Sequence, residues 1–197
     1  MSGLRASLPP VVKKYGWELK YGLFGYPHFV APEDLLQFLS ARLPAISSVL
    51  DLGCGRGSLL LALRSAEWAG NYCGVDISKR AIDDARGIPD QRSSWVVSDF
   101  ESFRSSFHWD LIIMVESLYY VKLGELPSFL GRMMAMLNEN GCLLFRLHEF
   151  EKHRVYIEAA MRVHPNLDRV GQNLYCIPNS ALQSGLQKGK PSNLATD

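Results

Sequence analysis

A glycine-rich turn is the most informative stretch of this sequence. A short apolar run enters three glycines in Val49-Leu50-Asp51-Leu52-Gly53-Cys54-Gly55-Arg56-Gly57. Glycine suits a turn where the backbone approaches a ligand, because a side chain would block that approach. Asp76 follows 19 residues after Gly57, directly behind a second apolar run. A carboxylate at that place can accept hydrogen bonds from both hydroxyls of a ribose, so the two features together predict a nucleoside-binding site.

The spacing of the glycines argues against a dinucleotide ligand. The dinucleotide fingerprint is GxGxxG, which places a pyrophosphate on a helix N-terminus. Here the glycines are residues 53, 55 and 57, and Ser58 occupies the third glycine position of that fingerprint. The carboxylate of Asp51, ahead of the turn, would repel a pyrophosphate but would attract an ammonium group. We therefore expect a ligand that carries an ammonium group.

Side chains that follow the fourth and fifth predicted strands are the candidates for chemistry. They are Glu116, Tyr119, Tyr120, Arg146, His148 and Glu149. Glu116 directly follows a buried strand, the tyrosines can stack on a substrate or a cationic amine, and His148 can act as a base. Each also has an ordinary structural alternative: a helix-dipole contact, loop packing, or a satisfied structural histidine. The predicted catalytic residues are Glu116, His148 and Tyr119.

Alternating strand-like and helix-like segments position these residues. Apolar runs predict strands at 48–52, 72–75, 95–97, 111–115 and 142–147, and helical patterns lie at 32–43, 58–64, 79–86 and 126–137, the last ended by Asn140-Gly141. A helix over 151–162 and a strand over 173–177 are weaker predictions. This alternation is typical of βαβ units, so we predict an α/β fold with a doubly wound, mostly parallel sheet and helices on both faces. Ligands of such folds lie beyond the carboxyl ends of the strands, near the topological switch point.

Four segments resemble the motifs of class I S-adenosylmethionine-dependent methyltransferases of the small-molecule branch. In order they are VLDLGCGRG from Val49, GVDIS from Gly74, VVSDF from Val96 and WDLIIMVESLYYV from Trp109. The resemblance covers residues 49–147 and places each motif at a predicted strand end. It implies the Rossmann-like class I fold, S-adenosyl-L-methionine as cofactor, S-adenosyl-L-homocysteine as its product, and methyl transfer by in-line displacement.

The same resemblance implies a set of cofactor-binding residues. The set is Asp51, Gly53, Gly55, Gly57, Asp76, Ile77, Asp99, Phe100, Val115 and Tyr21. Asp51 would face the methionine part, Asp76 the ribose hydroxyls and Asp99 the adenine amine. A helix cap or turn is the structural alternative for the last two carboxylates. Tyr21, or Tyr15 in its place, would reach the cofactor carboxylate from the N-terminal segment.

Three regions divide the chain. Residues 1–45 form an N-terminal aromatic lid or helical segment, whose aromatic stretch at 15–29 covers the pocket or packs in the core. Residues 46–180 form the S-adenosylmethionine-binding core, and residues 181–197 form a polar tail. Lys13, Lys14 and Lys20 are interpreted as a solvated cluster. Members of the family commonly have two further C-terminal strands, and the sequence offers one clear candidate.

Composition narrows the classes of partner. The chain has 197 residues, 47% of them apolar, so it is long enough for one domain with a full hydrophobic core. Its net charge of +1 gives no overall electrostatic field that would attract it to nucleic acid or to an anionic membrane. No Asn/Asp-Pro-Pro-Tyr type motif or basic aromatic patch is visible. No signal peptide or apolar run of 18 residues is visible either, and the four cysteines stand singly, so we expect a cytoplasmic protein with reduced thiols. His148 and His153 would lie on different helix faces, so no metal is expected.

Three functions stay open from the sequence. The first is a small-molecule N- or O-methyltransferase. The second is a catalytically silent S-adenosylmethionine-binding partner subunit, which missing C-terminal strands would favour. The third is an RNA or protein methyltransferase, which would need a basic groove. The acceptor, the pathway and the oligomeric state are also open.

Overall fold

A computed structural model describes residues 8–22 and 30–179. The helices are α1 (Pro10–Gly22), α2 (Glu33–Ser40), α3 (Ser58–Ser65), α4 (Lys79–Ala85), α5 (Leu126–Ala135) and α6 (Phe150–Val163). The strands are β1 (Ser48–Leu52), β2 (Asn71–Asp76), β3 (Ser93–Val97), β4 (Trp109–Val115), β5 (Leu137–Arg146), β6 (Asp168–Arg169) and β7 (Leu174–Pro178). Short 3-10 turns occur at Leu43–Ala45, Leu118–Tyr120 and Leu123–Glu125. Residues 23–29 of the predicted lid and the predicted tail at 181–197 lie outside the described residues.

The seven strands form one sheet in the order β3-β2-β1-β4-β5-β7-β6. Strands β1 to β5 pair in parallel, and β7 pairs antiparallel with both β5 and β6. The predicted α/β class with a mostly parallel sheet is confirmed. The strand order reverses between β1 and β4, which makes the edge beyond their carboxyl ends the topological switch point.

Alternating side chains of the central strands supply two apolar layers. Val49 and Leu111 pack with helices α2 and α3 on one face, whereas Leu50 and Ile112 pack with α5 and α6 on the other. Because both faces are covered, the central strands are apolar almost throughout, as expected of a buried parallel sheet. The helices on both faces hold the strand ends in place.

The boundary between α5 and β5 differs from the sequence prediction. Helix α5 ends at Ala135, and Asn140-Gly141 lies inside β5 rather than at a helix end. The register between β4 and β5 shifts between Trp109 and Leu111. A Cβ on Gly141 would lie 2.8 Å from the carbonyl oxygen of Trp109. Glycine is therefore needed here for close strand approach at an irregularity, a role that sequence reasoning mistook for a helix stop.

The C-terminal part contains both expected strands. The strand predicted at 173–177 is β7, and the second strand is β6, which the sequence did not reveal. Strand β6 has two residues, both exposed, so it carries no apolar pattern to read. The C-terminal strands whose absence would have favoured the silent-subunit hypothesis are therefore present.

Candidate active site

A cavity lies at the carboxyl ends of β1, β2 and β4, at the switch point. The predicted residues that line it are Asp51, Gly53, Gly55, Asp76, Ile77, Asp99, Phe100, Val115, Glu116, Tyr119 and Tyr21. Two predicted residues, Gly57 and His148, do not line it. The topology thus brings together side chains from segments spread over 100 residues of the chain, as the strand-end rule requires.

The three glycines of the turn meet different needs. Gly53 has φ +89°, and a Cβ there would lie 2.7 Å from Cβ of Ser117. Gly55 has φ +54°, and its Cβ would lie 2.9 Å from the hydroxyl of Tyr21. Gly57 has φ +80° at the start of α3 and would clash with the Trp95 ring at 2.5 Å. The first two glycines therefore leave open a part of the cavity that a side chain would fill. The third is required for close packing against Trp95.

Asp76 ties the second strand to the glycine turn. Its side chain accepts hydrogen bonds from the backbone amides of Gly55 at 3.0 Å and Ser78 at 2.9 Å. Only 7% of the residue is exposed. Burial raises the pKa of Asp76 to about 6, although the amide hydrogen bonds act in the opposite direction. The turn-forming alternative is therefore realised, and the same carboxylate also lines the cavity.

Asp51 is a second buried carboxylate on the cavity wall. It is 3% exposed and accepts a hydrogen bond of 2.5 Å from the hydroxyl of Tyr72. Burial raises the pKa of Asp51 to about 7, and the hydrogen bond from Tyr72 partly offsets this. A cationic ligand group would stabilise the ionised form. Tyr72 was not among the candidates, because nothing in the sequence indicates that a tyrosine in β2 meets a carboxylate of β1.

The loop after β3 forms another side of the cavity. Asp99 lines it and also accepts a hydrogen bond of 2.8 Å from the backbone amide of Ser102. Its turn-forming alternative is therefore also realised. The ring of Phe100 approaches the glycine turn and would contact a Cβ on Gly53 at 3.5 Å. Asp99 and Phe100 therefore line the cavity together with Ile77.

Glu116 directly follows β4 and has an unusual backbone conformation. Its φ is +53°, in the left-handed region that costs a non-glycine residue about 1–2 kcal/mol. Oε1 accepts from Nη1 of Arg146 at 2.8 Å, and Oε2 accepts from the backbone amide of His148 at 3.0 Å. Arg146 also reaches Asp34 of α2 at 3.3 Å. The side chain of Glu116 is thus anchored on both oxygens, and His148 contributes its amide while its side chain stays outside the cavity.

Aromatic rings line the part of the cavity beyond Glu116. We call residues Leu118–Val121 the acceptor turn. The rings of Tyr119 and Tyr120 lie 5.0 Å apart. Trp17 from α1 meets Tyr120 edge-on at 5.7 Å. Such rings suit a flat apolar group or a cation.

One face of helix α1 lines the cavity. The residues on this face are Pro10, Lys13, Trp17, Lys20 and Tyr21. Lys13 donates to the carbonyl of Tyr120 at 2.9 Å, and its side chain is only 10% exposed. The interpretation of the lysine cluster as solvated therefore does not hold for Lys13. Of the two tyrosines considered, Tyr21 lines the cavity and Tyr15, at 68% exposure, does not.

Helix α1 is fixed by contacts that the sequence did not indicate. The carboxylate of Glu18 accepts from the backbone amides of Lys79 at 2.6 Å and Arg80 at 3.3 Å, at the start of α4. Arg56 donates to the carbonyl of Tyr21 at 3.1 Å. An anion at a helix N-terminus is favourable because the first amides have no helical partner. Helix α1 is therefore held at both its middle and its end.

The cavity wall carries five carboxylates and three cationic side chains. This excess of negative charge favours a cationic ligand. Among residues 8–22 and 30–179, no group of three or more His, Cys, Asp or Glu side chains is arranged to hold a metal ion. None of the helices in those two stretches is both long enough and apolar enough to cross a bilayer.

Known proteins resemble this chain in sequence. A family described as a methyltransferase domain matches residues 26–185. Nodulation protein S of Rhizobium tropici is 33% identical over 110 residues, which are 54% of this chain and 45% of that protein. Nodulation protein S of Sinorhizobium fredii is 27% identical over 110 residues, 54% of this chain and 50% of that protein. The chain spans about half the length of the curated relatives it matches.

Solved structures share the fold. The N-methyltransferase NodS of Bradyrhizobium japonicum WM9, in complex with S-adenosyl-L-homocysteine, superposes with a TM-score of 0.59 at 20% identity over 91% of this chain and 96% of that one. The plantazolicin methyltransferase BpumL, in complex with S-adenosylhomocysteine and a pentazolic analogue, gives 0.54 at 17% identity over 82% and 63%. The family match over most of the chain confirms the family predicted from the motifs, and this chain belongs to the methyltransferase-domain family.

Proposed function

We propose that this protein transfers a methyl group from S-adenosylmethionine to an N or O atom of a small-molecule acceptor. One observation carries the proposal. The glycine turn, whose glycines have no side chains to fill the space above it, lines the same cavity as the buried carboxylates of Asp51 and Asp76. The chain's membership in the methyltransferase-domain family supports it. The cysteines at 54, 73, 142 and 176 are free and buried, which fits our expectation of a reducing cytoplasm.

The residues of the cavity fit this cofactor. Side chains at Gly53 and Gly55 would fill the space over the turn, so the turn is shaped for close contact with a bound group. The carboxylate of Asp76 accepts hydrogen bonds from two backbone amides, and its oxygens have further lone pairs that can accept from ribose hydroxyls. Asp51 provides negative charge for an ammonium group. Asp99, Phe100 and Ile77 would hold the adenine, and Val115 would lie beside the sulfonium.

The protein's contribution to catalysis would be to orient the acceptor and to exclude water from the reacting groups. Bound S-adenosylmethionine supplies an activated methyl group on a positively charged sulfur. Orienting an acceptor in line with that methyl group is worth up to about 7–11 kcal/mol of the barrier. Helix α1 closes the cavity from above, which keeps water from the reacting groups.

On the acceptor side we propose Glu116 and Tyr119 as the residues that meet the substrate. Both line the cavity next to Val115. The negative charge of Glu116 would attract a cationic amine and receive its proton, whereas the ring of Tyr119 would stack on the acceptor. For His148 we propose a supporting role through its backbone amide, which orients Glu116. One structural neighbour, NodS, is an N-methyltransferase, and this supports nitrogen as the accepting atom.

Cofactor binding tests the proposal first. Calorimetry should show that S-adenosylmethionine and S-adenosylhomocysteine bind and that NAD does not. Asp76→Ala should weaken both by about 100-fold, because hydrogen bonds to a charged group are lost along with the support of the turn. Asp83→Ala, an exposed carboxylate on α4, is the matched control and should bind normally. Binding of NAD in this cavity, or unchanged affinity of Asp76→Ala, would refute the assignment.

Turnover is the second test. The protein is incubated with methyl-labelled S-adenosylmethionine and a deproteinised small-molecule extract, and labelled products are identified by mass spectrometry. We expect a labelled small molecule whose methyl group is on nitrogen or oxygen. Cofactor binding without transfer to any small molecule, RNA or protein would favour the silent-subunit alternative.

A further inference from the structure

Helix α6 contacts the acceptor turn with two side chains one helical turn apart. Tyr156, which is 2% exposed, directs its hydroxyl at the carbonyl oxygens of Tyr119 at 3.1 Å and Val121 at 3.0 Å. Its single proton is shared between these two acceptors. Helix α6 therefore holds the backbone of the turn on the side away from α1.

His153 holds the side chain of the same turn. Its ring stacks on that of Tyr119 with centroids 4.2 Å apart and planes inclined by 7°. The residue is 3% exposed, and its Nδ1 is buried without a hydrogen-bond partner. A buried unpaired nitrogen costs about 1–3 kcal/mol. The ring of His153 thus packs flat against Tyr119 and edge-on against Tyr156.

The carbonyls of the turn are held from two sides. Lys13 of α1 holds the carbonyl of Tyr120, whereas Tyr156 of α6 holds those of its two neighbours. Burial lowers the pKa of His153, which disfavours the charged form of the stacked ring. The Tyr119 ring in the cavity is therefore contacted by a helix that does not itself line the cavity.

We propose that His153 and Tyr156 are positioning residues that fix the ring of Tyr119 and thereby set the affinity for the methyl acceptor. The inference rests on the proposed function, since it assumes that Tyr119 meets the acceptor. His153 supplies a flat stacking surface, and Tyr156 supplies the backbone support. Neither group touches the cofactor side, so acceptor binding and cofactor binding should respond separately.

Three variants of α6 separate positioning from general packing. His153→Leu removes the flat ring, His153→Phe keeps it, and Val155→Ala changes a residue of the same helix that is 47% exposed. Transfer from methyl-labelled S-adenosylmethionine is measured over a dilution series of one deproteinised extract, and S-adenosylhomocysteine affinity is measured by calorimetry. Hydrogen exchange of the peptide covering residues 117–121 is followed in the S-adenosylhomocysteine complex.

The proposal requires that acceptor binding changes while the plateau rate and the cofactor affinity do not. In His153→Leu, the extract concentration for half-maximal transfer should rise about three- to ten-fold, the effect of losing an aromatic stack. Its plateau rate and its affinity for S-adenosylhomocysteine should stay within about two-fold. His153→Phe and Val155→Ala should match the unmodified protein. Exchange at 117–121 should accelerate in His153→Leu alone.

Other results overturn the proposal. Equal behaviour of all three variants would show that the stack has no bearing on the acceptor. A joint fall of plateau rate and cofactor affinity in His153→Leu would indicate a packing role only. If the extract yields no labelled product with any variant, the hydrogen exchange of residues 117–121 tests the proposal by itself. Equal exchange in all variants would then refute the positioning role. Failure of the unmodified protein to bind S-adenosylhomocysteine would instead count against the proposed function.

Discussion

The two halves of the cavity are built in different ways. The half that we propose holds the cofactor, called the cofactor half, comprises the glycine turn and the loops after β2 and β3, and hydrogen bonds donated by backbone amides of the turn hold it. The amide of Gly53 donates to the carbonyl of Val75 at 2.8 Å, and Asp76 accepts from the amide of Gly55. The acceptor half comprises α1, Glu116 and the acceptor turn. Side chains from distant segments hold it, such as Lys13 on Tyr120 and Arg146 on Glu116.

The two halves should therefore respond differently to substitutions. A defect in the cofactor half alters the backbone itself, so it should remove ligand binding as a whole. A defect in the acceptor half removes one side-chain contact, so it should alter one rate or one affinity and leave the rest. If the proposed roles hold, changes in the acceptor half would alter acceptor binding without loss of the cofactor half.

Gly53→Ala should have the largest effect and should break the cofactor half. The new Cβ would lie 2.7 Å from Cβ of Ser117, at a residue with φ +89°. Ser117 cannot move easily, because its hydroxyl donates to the carbonyl of Leu52 at 2.7 Å. We expect affinity for S-adenosylhomocysteine, measured by calorimetry, to fall by more than about 100-fold.

A second glycine provides the control. Gly131 lies in α5 with an ordinary helical backbone, and a Cβ added there would meet nothing within 4 Å. Gly131→Ala should bind normally and should stabilise the protein by about 0.5–1 kcal/mol in denaturant unfolding. Equal binding by the two alanine variants would show that the turn is not a close-contact surface.

Glu116→Gln should have the next largest effect and should act on the acceptor half alone. The amide keeps the size of the side chain but loses the charge that faces Arg146. We expect transfer of the methyl label to fall about 10- to 100-fold, with S-adenosylhomocysteine affinity within about two-fold.

Arg146→Gln separates the charge of Glu116 from its anchoring. That variant keeps the carboxylate but removes its partner at 2.8 Å. Transfer that survives in Arg146→Gln and not in Glu116→Gln would assign the role to the carboxylate. Full transfer in Glu116→Gln would remove Glu116 from the mechanism.

The sequence predicted that most residues of the proposed cofactor half would lie together, because the information for their placement is local. Asp51, Asp76 and the glycines stand at strand ends, and the strand-end rule places them together without any knowledge of packing. The acceptor half depends on contacts that no local pattern records. Tyr156 meets the acceptor turn 35 residues away, and Lys13 meets Tyr120 across 107 residues. Strand β6 was missed for a related reason, since two exposed residues carry no periodicity.

A smaller effect should appear in the pH dependence of the cofactor half. Burial raises the pKa of Asp51 to about 7 and that of Asp76 to about 6 from an ordinary value of 3.8. The folded ligand-free protein therefore retains protons that the unfolded chain loses. The stability from these groups is full below about pH 4 and is lost as the pH rises through 6 and 7. Thermal unfolding should show this loss, and Asp51→Asn should reduce it.

Ligand affinity should change in the opposite direction. An ammonium group on the ligand prefers the ionised form of Asp51, so affinity for S-adenosylhomocysteine should rise by about ten-fold from pH 6 to pH 8. Asp51→Asn should bind more weakly at pH 8 and show a flatter profile. A pH profile that is unchanged in Asp51→Asn would place the titrating group elsewhere.

Lys13→Met should have the smallest effect and should test how α1 closes the acceptor half. Methionine keeps the buried apolar stem but loses the donor that lies 2.9 Å from the carbonyl of Tyr120. One net hydrogen bond is worth about 1 kcal/mol, so dissociation of S-adenosylhomocysteine in stopped-flow chase should accelerate about three- to five-fold, with association little changed. Lys14→Met, at the exposed neighbouring position, should dissociate at the normal rate. The lost contact joins helix α1 to the acceptor turn and not to the cofactor half. A large loss of equilibrium affinity for S-adenosylhomocysteine in Lys13→Met would therefore mean that the two halves are less independent than their contacts suggest.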